Sequence, residues 1–120
     1  MQILAGAGIY TPPKDEPNHW IEHLRSPDLS VGTYSIPAGG KDDQRPHWED
    51  EIYLVQTGRA TLVTDSGRAE VGPGSVVYVP SNERHEYTDI KDDLTLIVIV
   101  APPYHTREPG HPLARQDTGS

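Results

Sequence analysis

The sequence predicts an antiparallel β-sandwich or β-barrel. Five short runs are rich in β-branched residues and tyrosine, and most of them alternate apolar with polar residues, at 29–36, 51–56, 59–64, 75–79 and 94–100. Turn sequences separate consecutive runs, and the 120 residues include 11 glycines and 12 prolines. Long helices are therefore not expected, and short strands at this spacing are typical of an all-β fold.

One short helix is expected before the first run. Residues 17–26, with the sequence PNHWIEHLRS, place Trp20, Ile21 and Leu24 on one side of a helix of about two and a half turns. His19 and His23 would then be separated by one turn, a spacing that suits zinc. However, HWIEH lacks the glutamate of the H-E-x-x-H protease pattern, so a solvated helix face is the better interpretation.

The strands follow in order, each ending at a turn signal. LSVGTYSI ends at PAGG, EIYLVQ at TG, RATLVT at DSGR and SVVYV at PSN. The last run, LTLIVIV, is apolar on both faces, whereas a strand with one solvated face should alternate. One face can fill the core, and we expect the other to contact a second copy of the chain in a homodimer.

Size and charge limit the function further. A chain of 120 residues and 13.2 kDa has the size of one domain. The absence of cysteine excludes a disulfide framework, an iron–sulfur cluster and thiol catalysis. The net charge of -8 would repel phosphate backbones, so no nucleic-acid partner is expected. Without a long apolar run or a signal-peptide pattern, no membrane contact is expected and the predicted location is the cytoplasm.

The first segment with candidate chemistry runs from residue 39 to residue 58. It contains Gly39, His47, Glu51 and Gly58, with three residues between His47 and Glu51 and six between Glu51 and Gly58. This pattern resembles the first motif of the cupin superfamily, G-x5-H-x-H-x3-E-x6-G. Arg45 stands where the family has its first histidine, so one ligand position departs from the motif. The string PHWEDEIYLVQTG is similar to the P-H-x-E-D-E-x-Y segment of small single-domain metal-binding cupins.

The second segment contains Gly74, Pro80 and His85 at the spacing of the second cupin motif, G-x5-P-x-G-x2-H-x3-N. Asn82 replaces the motif's glycine, which is physically reasonable because asparagine tolerates positive φ better than most residues. Asp89 replaces its asparagine. The resemblance implies a cupin-type β-barrel (a double-stranded β-helix or jelly roll) at 28–103, preceded by an N-terminal segment with the short helix at 1–27. Residues 104–120, which have few apolar groups to bury, are expected to form a flexible tail.

The resemblance also implies a divalent metal in the mouth of the barrel. His47, Glu51 and His85 match the family's metal ligands, and two imidazoles with one carboxylate favour Fe(II), with Mn, Ni, Co or Zn as alternatives. The fourth ligand is Gln44, Glu49 or water. Gln44 has a suitable oxygen donor, but its position in a regular strand would point it away from His47, so it needs a bulge.

Two further residues are candidates for catalysis. Arg45 would repel a metal cation and is therefore expected to bind a carboxylate of the substrate. Tyr53 lies two residues after Glu51 and should face the same cavity. Some metal-dependent cupin lyases use a tyrosine at this position as base or ligand, whereas in many cupins it is a core residue.

These expectations favour a metal-dependent enzyme acting on a small organic molecule. Oxygen-dependent oxidation or cleavage, of the dioxygenase type, comes first because the ligand count leaves positions for both substrate and oxygen. Isomerisation or cyclisation, with the metal as Lewis acid, comes second. The alternative is a cupin that binds a small ligand without catalysis, which the arginine at a ligand position favours.

Overall fold

The computed structural model describes residues 1–43 and 48–107 of the chain. It contains eight strands: β1 (His19–Arg25), β2 (Ser30–Ile36), β3 (Asp50–Thr57), β4 (Ala60–Thr64), β5 (Gly67–Val71), β6 (Val76–Val79), β7 (His85–Thr88) and β8 (Leu94–Ala101). In the described part of the chain the regular structure is all β, as predicted. None of its segments is a helix long and apolar enough to span a membrane.

The strands form two antiparallel sheets. The larger has the order β1-β2-β8-β3-β6 and the smaller the order β5-β4-β7. The chain therefore crosses repeatedly between the sheets, which is the arrangement of a jelly roll. Between the sheets lies one apolar core, and β8 contributes its alternate residues Leu94, Leu96, Val98 and Val100. The remaining apolar residues of β8 lie on the outer face of the larger sheet.

The predicted helix at 17–26 is wrong, because the segment forms strand β1 and pairs antiparallel with β2. A helix of about ten residues is marginal in water without tertiary contacts, whereas pairing with β2 satisfies the backbone and packs the strand's side chains. Trp20 lies opposite Tyr34 and against Gly32, where an added Cβ would stand 2.6 Å from the indole Cζ2. His23 contacts Thr33, with 2.6 Å between Nε2 and Oγ1.

The segments outside the strands pack on the two ends of the larger sheet. At the N-terminus, the amides of Gly8 and Thr11 donate hydrogen bonds to the hydroxyls of Thr33 and Ser35 on β2, at 3.0 and 3.1 Å. After β8, the amide of Tyr104 donates to Ser30 Oγ at 3.1 Å. The N-terminal segment and the segment after β8 are therefore both hydrogen-bonded to strand β2 in the described part of the chain.

Candidate functional site

Strands from both sheets bring a carboxyl group, a phenol and an imidazole together inside the barrel. Glu51 and Tyr53 are alternate residues of β3 and point inward, whereas His85 begins β7 in the other sheet. The Tyr53 hydroxyl donates to Glu51 Oε2 at 2.8 Å and lies 2.8 Å from His85 Nε2. His85 Nε2 is 3.5 Å from Glu51 Oε1, and all three side chains are at most 3% exposed.

The turn before β7 places His85 in this cluster. Asn82 adopts a left-handed conformation with φ of 66°, as its replacement of the motif's glycine predicts. Ser81 binds this turn to the start of β3, since its amide donates to Asp50 Oδ1 at 2.9 Å and its hydroxyl to the Trp48 carbonyl at 2.7 Å. The turn is therefore fixed against the strand that carries Glu51.

Hydrogen bonding determines which nitrogen of His85 faces the cluster. Nδ1 lies 2.9 Å from the Glu83 carbonyl oxygen, which can only accept, so Nδ1 carries a hydrogen. Nε2 faces Glu51 and Tyr53. The Tyr53 hydroxyl has a single hydrogen for these two neighbours. A cation that bound both Glu51 and Nε2 would require both in their deprotonated forms.

At neutral pH the electrostatics favour the protonated form of the Glu51 carboxyl group. Burial raises the pKa of Glu51 to about 8. The hydrogen bond from the Tyr53 hydroxyl partly opposes this increase, whereas repulsion from Glu49 and Asp42 adds a little to it. Burial also raises the pKa of Tyr53 well above its ordinary value, and the carboxylate of Glu51 raises it further. Tyr53 is therefore a neutral hydroxyl and can serve as a proton donor.

Two buried carboxylates, Asp42 and Glu49, lie within the first motif segment, on either side of residues 44–47. Asp42 accepts hydrogen bonds from the Tyr34 hydroxyl at 2.8 Å and the Tyr87 amide at 2.9 Å, which connects the two sheets. On the other side, the Glu49 oxygens accept the amides of residues 105 and 107, at 3.3 and 2.8 Å. Sequence reasoning missed Asp42, and the bonds of Glu49 favour an anchoring role over its proposed role as fourth metal ligand.

The structure tests only part of the predicted ligand set. Glu51 and His85 come together as the motif spacing implies, and Tyr53 lies between them. Gln44, Arg45 and His47 lie outside the described residues. Within residues 1–43 and 48–107, no three histidine, aspartate or glutamate side chains are arranged to hold a metal ion.

A cavity of about 210 Å³ reaches the cluster from the surface. Its floor includes Glu51 and Tyr53, and its walls are formed by Asn18, Trp20, Tyr34, Asp43, Val98 and Tyr104. Sequence reasoning missed most of this wall. Trp20 was assigned to a helix and Tyr104 to a tail, and only the register of β1 on β2 and the bonds of the segment after β8 bring them together.

Comparison with known proteins agrees with this architecture. A family model described as a cupin domain matches residues 32–102. The chain belongs to the cupin superfamily. It is also similar to the uncharacterized protein SCO3923 of Streptomyces coelicolor, with 40% identity over 84 residues, which is 70% of this chain and 80% of that protein.

Solved structures share the cupin fold with this chain at low sequence identity. The protein TT1209 from Thermus thermophilus matches with a TM-score of 0.68 and 19% identity, over 86% of this chain and 97% of that one. The DMSP lyase DddQ from Ruegeria pomeroyi matches with a TM-score of 0.67 and 18% identity, over 84% of this chain and 54% of that one. At these identities the likeness concerns the fold alone.

Proposed function

We propose that this cupin is a metal-dependent enzyme that acts on a small organic molecule bound in the cavity. The observation that carries the proposal is the buried cluster of Glu51, Tyr53 and His85 at the cavity floor. A carboxyl group and an imidazole in contact inside a barrel are costly to bury unless a proton or a cation compensates the charge. Enclosed groups with a perturbed pKa at the base of a cavity are typical of functional sites.

The donor chemistry fits a divalent metal. Glu51 offers carboxylate oxygens, and the Nδ1 bond of His85 to a backbone carbonyl presents Nε2, as in many metal-binding histidines. His47 would supply the third ligand, with Gln44 or water as the fourth. When bound, Fe(II), or otherwise Mn, Co, Ni or Zn, would polarise a substrate oxygen or support redox chemistry.

Tyr53 supports proton transfer as the leading reaction class. Its hydroxyl lines the cavity and contacts both Glu51 and His85, and it carries a proton that it can give to a bound substrate. Arg45 would bind a carboxylate of the same substrate. Elimination, isomerisation and cyclisation need this proton transfer, and the structural relative DddQ is described as a lyase. Oxygen-dependent oxidation or cleavage is the second candidate, since two histidines and one carboxylate leave coordination positions open.

Metal analysis tests the proposal. After identical loading and desalting, we expect about one divalent ion per chain in the wild type and little in His85→Ala or Glu51→Gln. His23→Ala is the matched control, because His23 lies on β1 and contacts Thr33 rather than the cluster. Equal metal content in wild type and His85→Ala would overturn the site assignment and leave a non-catalytic ligand-binding cupin.

Substrate turnover with and without oxygen separates the reaction classes. Proton-transfer chemistry should proceed equally in air and under nitrogen, and Tyr53→Phe should lower kcat at least about a hundredfold while the metal is retained. Oxygen consumption coupled to turnover would instead favour the second candidate.

A further inference from the structure

We propose that the cavity above the Glu51–Tyr53–His85 cluster binds the positively charged end of a small organic molecule, an alkylammonium or a similar cation. The inference deepens the proposed function and rests on it, since it names the substrate class of the same site. Aromatic walls, a fixed carboxylate at the rim and the charge of the lining support it.

Aromatic side chains make up half of the cavity lining. Four of its eight lining residues are Trp20, Tyr34, Tyr53 and Tyr104. The indole of Trp20 stands nearly perpendicular to both Tyr34 and Tyr104, with ring centres 6.4 and 6.1 Å apart and planes inclined by 76° and 66°. Rings inclined in this way form the corner of a box, and a cation within about 6 Å of a ring face is attracted by the ring quadrupole.

These rings are held in place before any ligand binds. The indole of Trp20 rests against the backbone of Gly32, where a Cβ would stand 2.6 Å from the indole Cζ2. Tyr104 stacks on the imidazole of His105, with ring centres 3.9 Å apart, and its amide donates to Ser30 Oγ at 3.1 Å. A preformed wall lowers the entropic cost of binding.

The charge of the lining favours a cation over an anion. Asp43 lies at the rim, and its Oδ1 accepts a hydrogen bond from Asn18 Nδ2 at 2.8 Å. The described lining residues include no lysine, arginine or histidine, and Asp43 supplies the negative charge, since the proton or metal on Glu51 neutralises that carboxyl group. The net charge of -8 adds a long-range attraction for cations.

The size of the cavity limits the ligand to a compact group. Its volume of about 210 Å³ is below the roughly 300–1,000 Å³ of pockets for drug-sized ligands. A methylated ammonium head fits this description, because it is small, apolar on its surface and positively charged.

Three probes of similar shape and different charge test the inference by titration calorimetry. Choline carries the charge, 3,3-dimethylbutan-1-ol is its neutral isostere, and 3,3-dimethylbutanoate is an anion of similar size. We expect choline to bind at least about tenfold more tightly than the alcohol, and the anion more weakly than either.

Variants of the wall and the rim locate the binding. Trp20→Leu should weaken choline binding about tenfold and change binding of the alcohol much less. Asp43→Asn should weaken it about threefold and reduce its salt dependence. Tyr10→Leu and Asp92→Asn are the matched controls, since neither residue lines the cavity; Tyr10 is half-buried and Asp92 is exposed. If Trp20→Leu alters the circular dichroism, Tyr104→Leu tests the same wall from a different segment.

Several outcomes would overturn the inference: equal binding of choline and the alcohol, preference for the anion, or no choline binding up to about 10 mM. The titrations use the full chain as purified and again after dialysis against a chelator. Choline selectivity without metal binding would keep the cation site and remove the proposed enzyme. Metal binding without choline selectivity would support the proposed metal site and overturn the cation site.

Discussion

Replacing Glu51 with glutamine should stabilise the metal-free protein at alkaline pH. Burial raises the pKa of Glu51 from 4.5 to about 8, so the folded chain keeps this proton where the unfolded chain has lost it. The folded state therefore binds one more proton between these pH values. Its free energy of unfolding should fall by about 1.4 kcal/mol for each pH unit as the pH rises from 4.5 to 8.

The accumulated effect at pH 8 is on the order of 4 kcal/mol. It represents the cost of a buried carboxylate, only partly offset by the hydrogen bond from Tyr53. Glutamine has nearly the same shape and no charge to desolvate. Glu51→Gln should thus resemble the wild type in acid, differ by about 1 kcal/mol at pH 5, and be more stable by several kcal/mol at pH 8.

Urea unfolding of chelator-treated protein between pH 5 and pH 8 measures this difference. Glu70→Gln is the control for removing an acidic charge, because Glu70 is exposed on β5. A difference that stayed constant with pH, or a wild type more stable than the variant at pH 8, would refute the reasoning. Added divalent metal should raise the stability of the wild type alone, since only the wild type retains the carboxylate ligand.

Other features lead to further predictions. The described residues give the buried Tyr87 hydroxyl no hydrogen-bond partner. Tyr87→Phe should therefore leave the stability in thermal unfolding unchanged or raise it by up to about 1 kcal/mol. A loss of stability would show that the hydroxyl has a partner. Glu49→Gln should speed proteolysis after β8, since the Glu49 carboxylate accepts two amides there; an unchanged rate would exclude this anchoring role. The outer face of the larger sheet exposes Ile52 and Tyr78, so light scattering should give two chain masses for the wild type and one for Tyr78→Glu; one mass for both would exclude the homodimer.

The sequence predicted the parts of the fold that depend on short-range patterns. Period-two alternation located five of the eight strands, β2, β3, β4, β6 and β8, and missed β5 and β7. The resemblance to the two cupin motifs anticipated that Glu51 and His85 lie together, and the structure brings them from different sheets. Asn82 was correctly predicted to tolerate a left-handed turn. In each case the local sequence already contains the determining feature.

The N-terminal strand and the cavity wall could not be predicted in this way. The apolar residues of 17–26 fit a helix as well as a strand, and the choice depends on pairing with β2 and on the space beside Gly32. Tyr104 appeared to belong to a mobile tail, because its bond to Ser30 joins residues 74 positions apart. Contacts between residues far apart in the sequence determine both strand β1 and the position of Tyr104. Such contacts cannot be read from a single sequence.

The cavity combines residues from inside and outside the segment that matches the cupin family model. Asn18, Trp20 and Tyr104 lie outside residues 32–102, whereas Glu51, Tyr53 and His85 lie within them. Under the proposed function, the groups that carry the chemistry therefore come from the matched segment, and part of the cavity wall comes from the two flanking segments. We expect substitutions in the flanks to change which molecule binds, and substitutions at the floor to change the reaction.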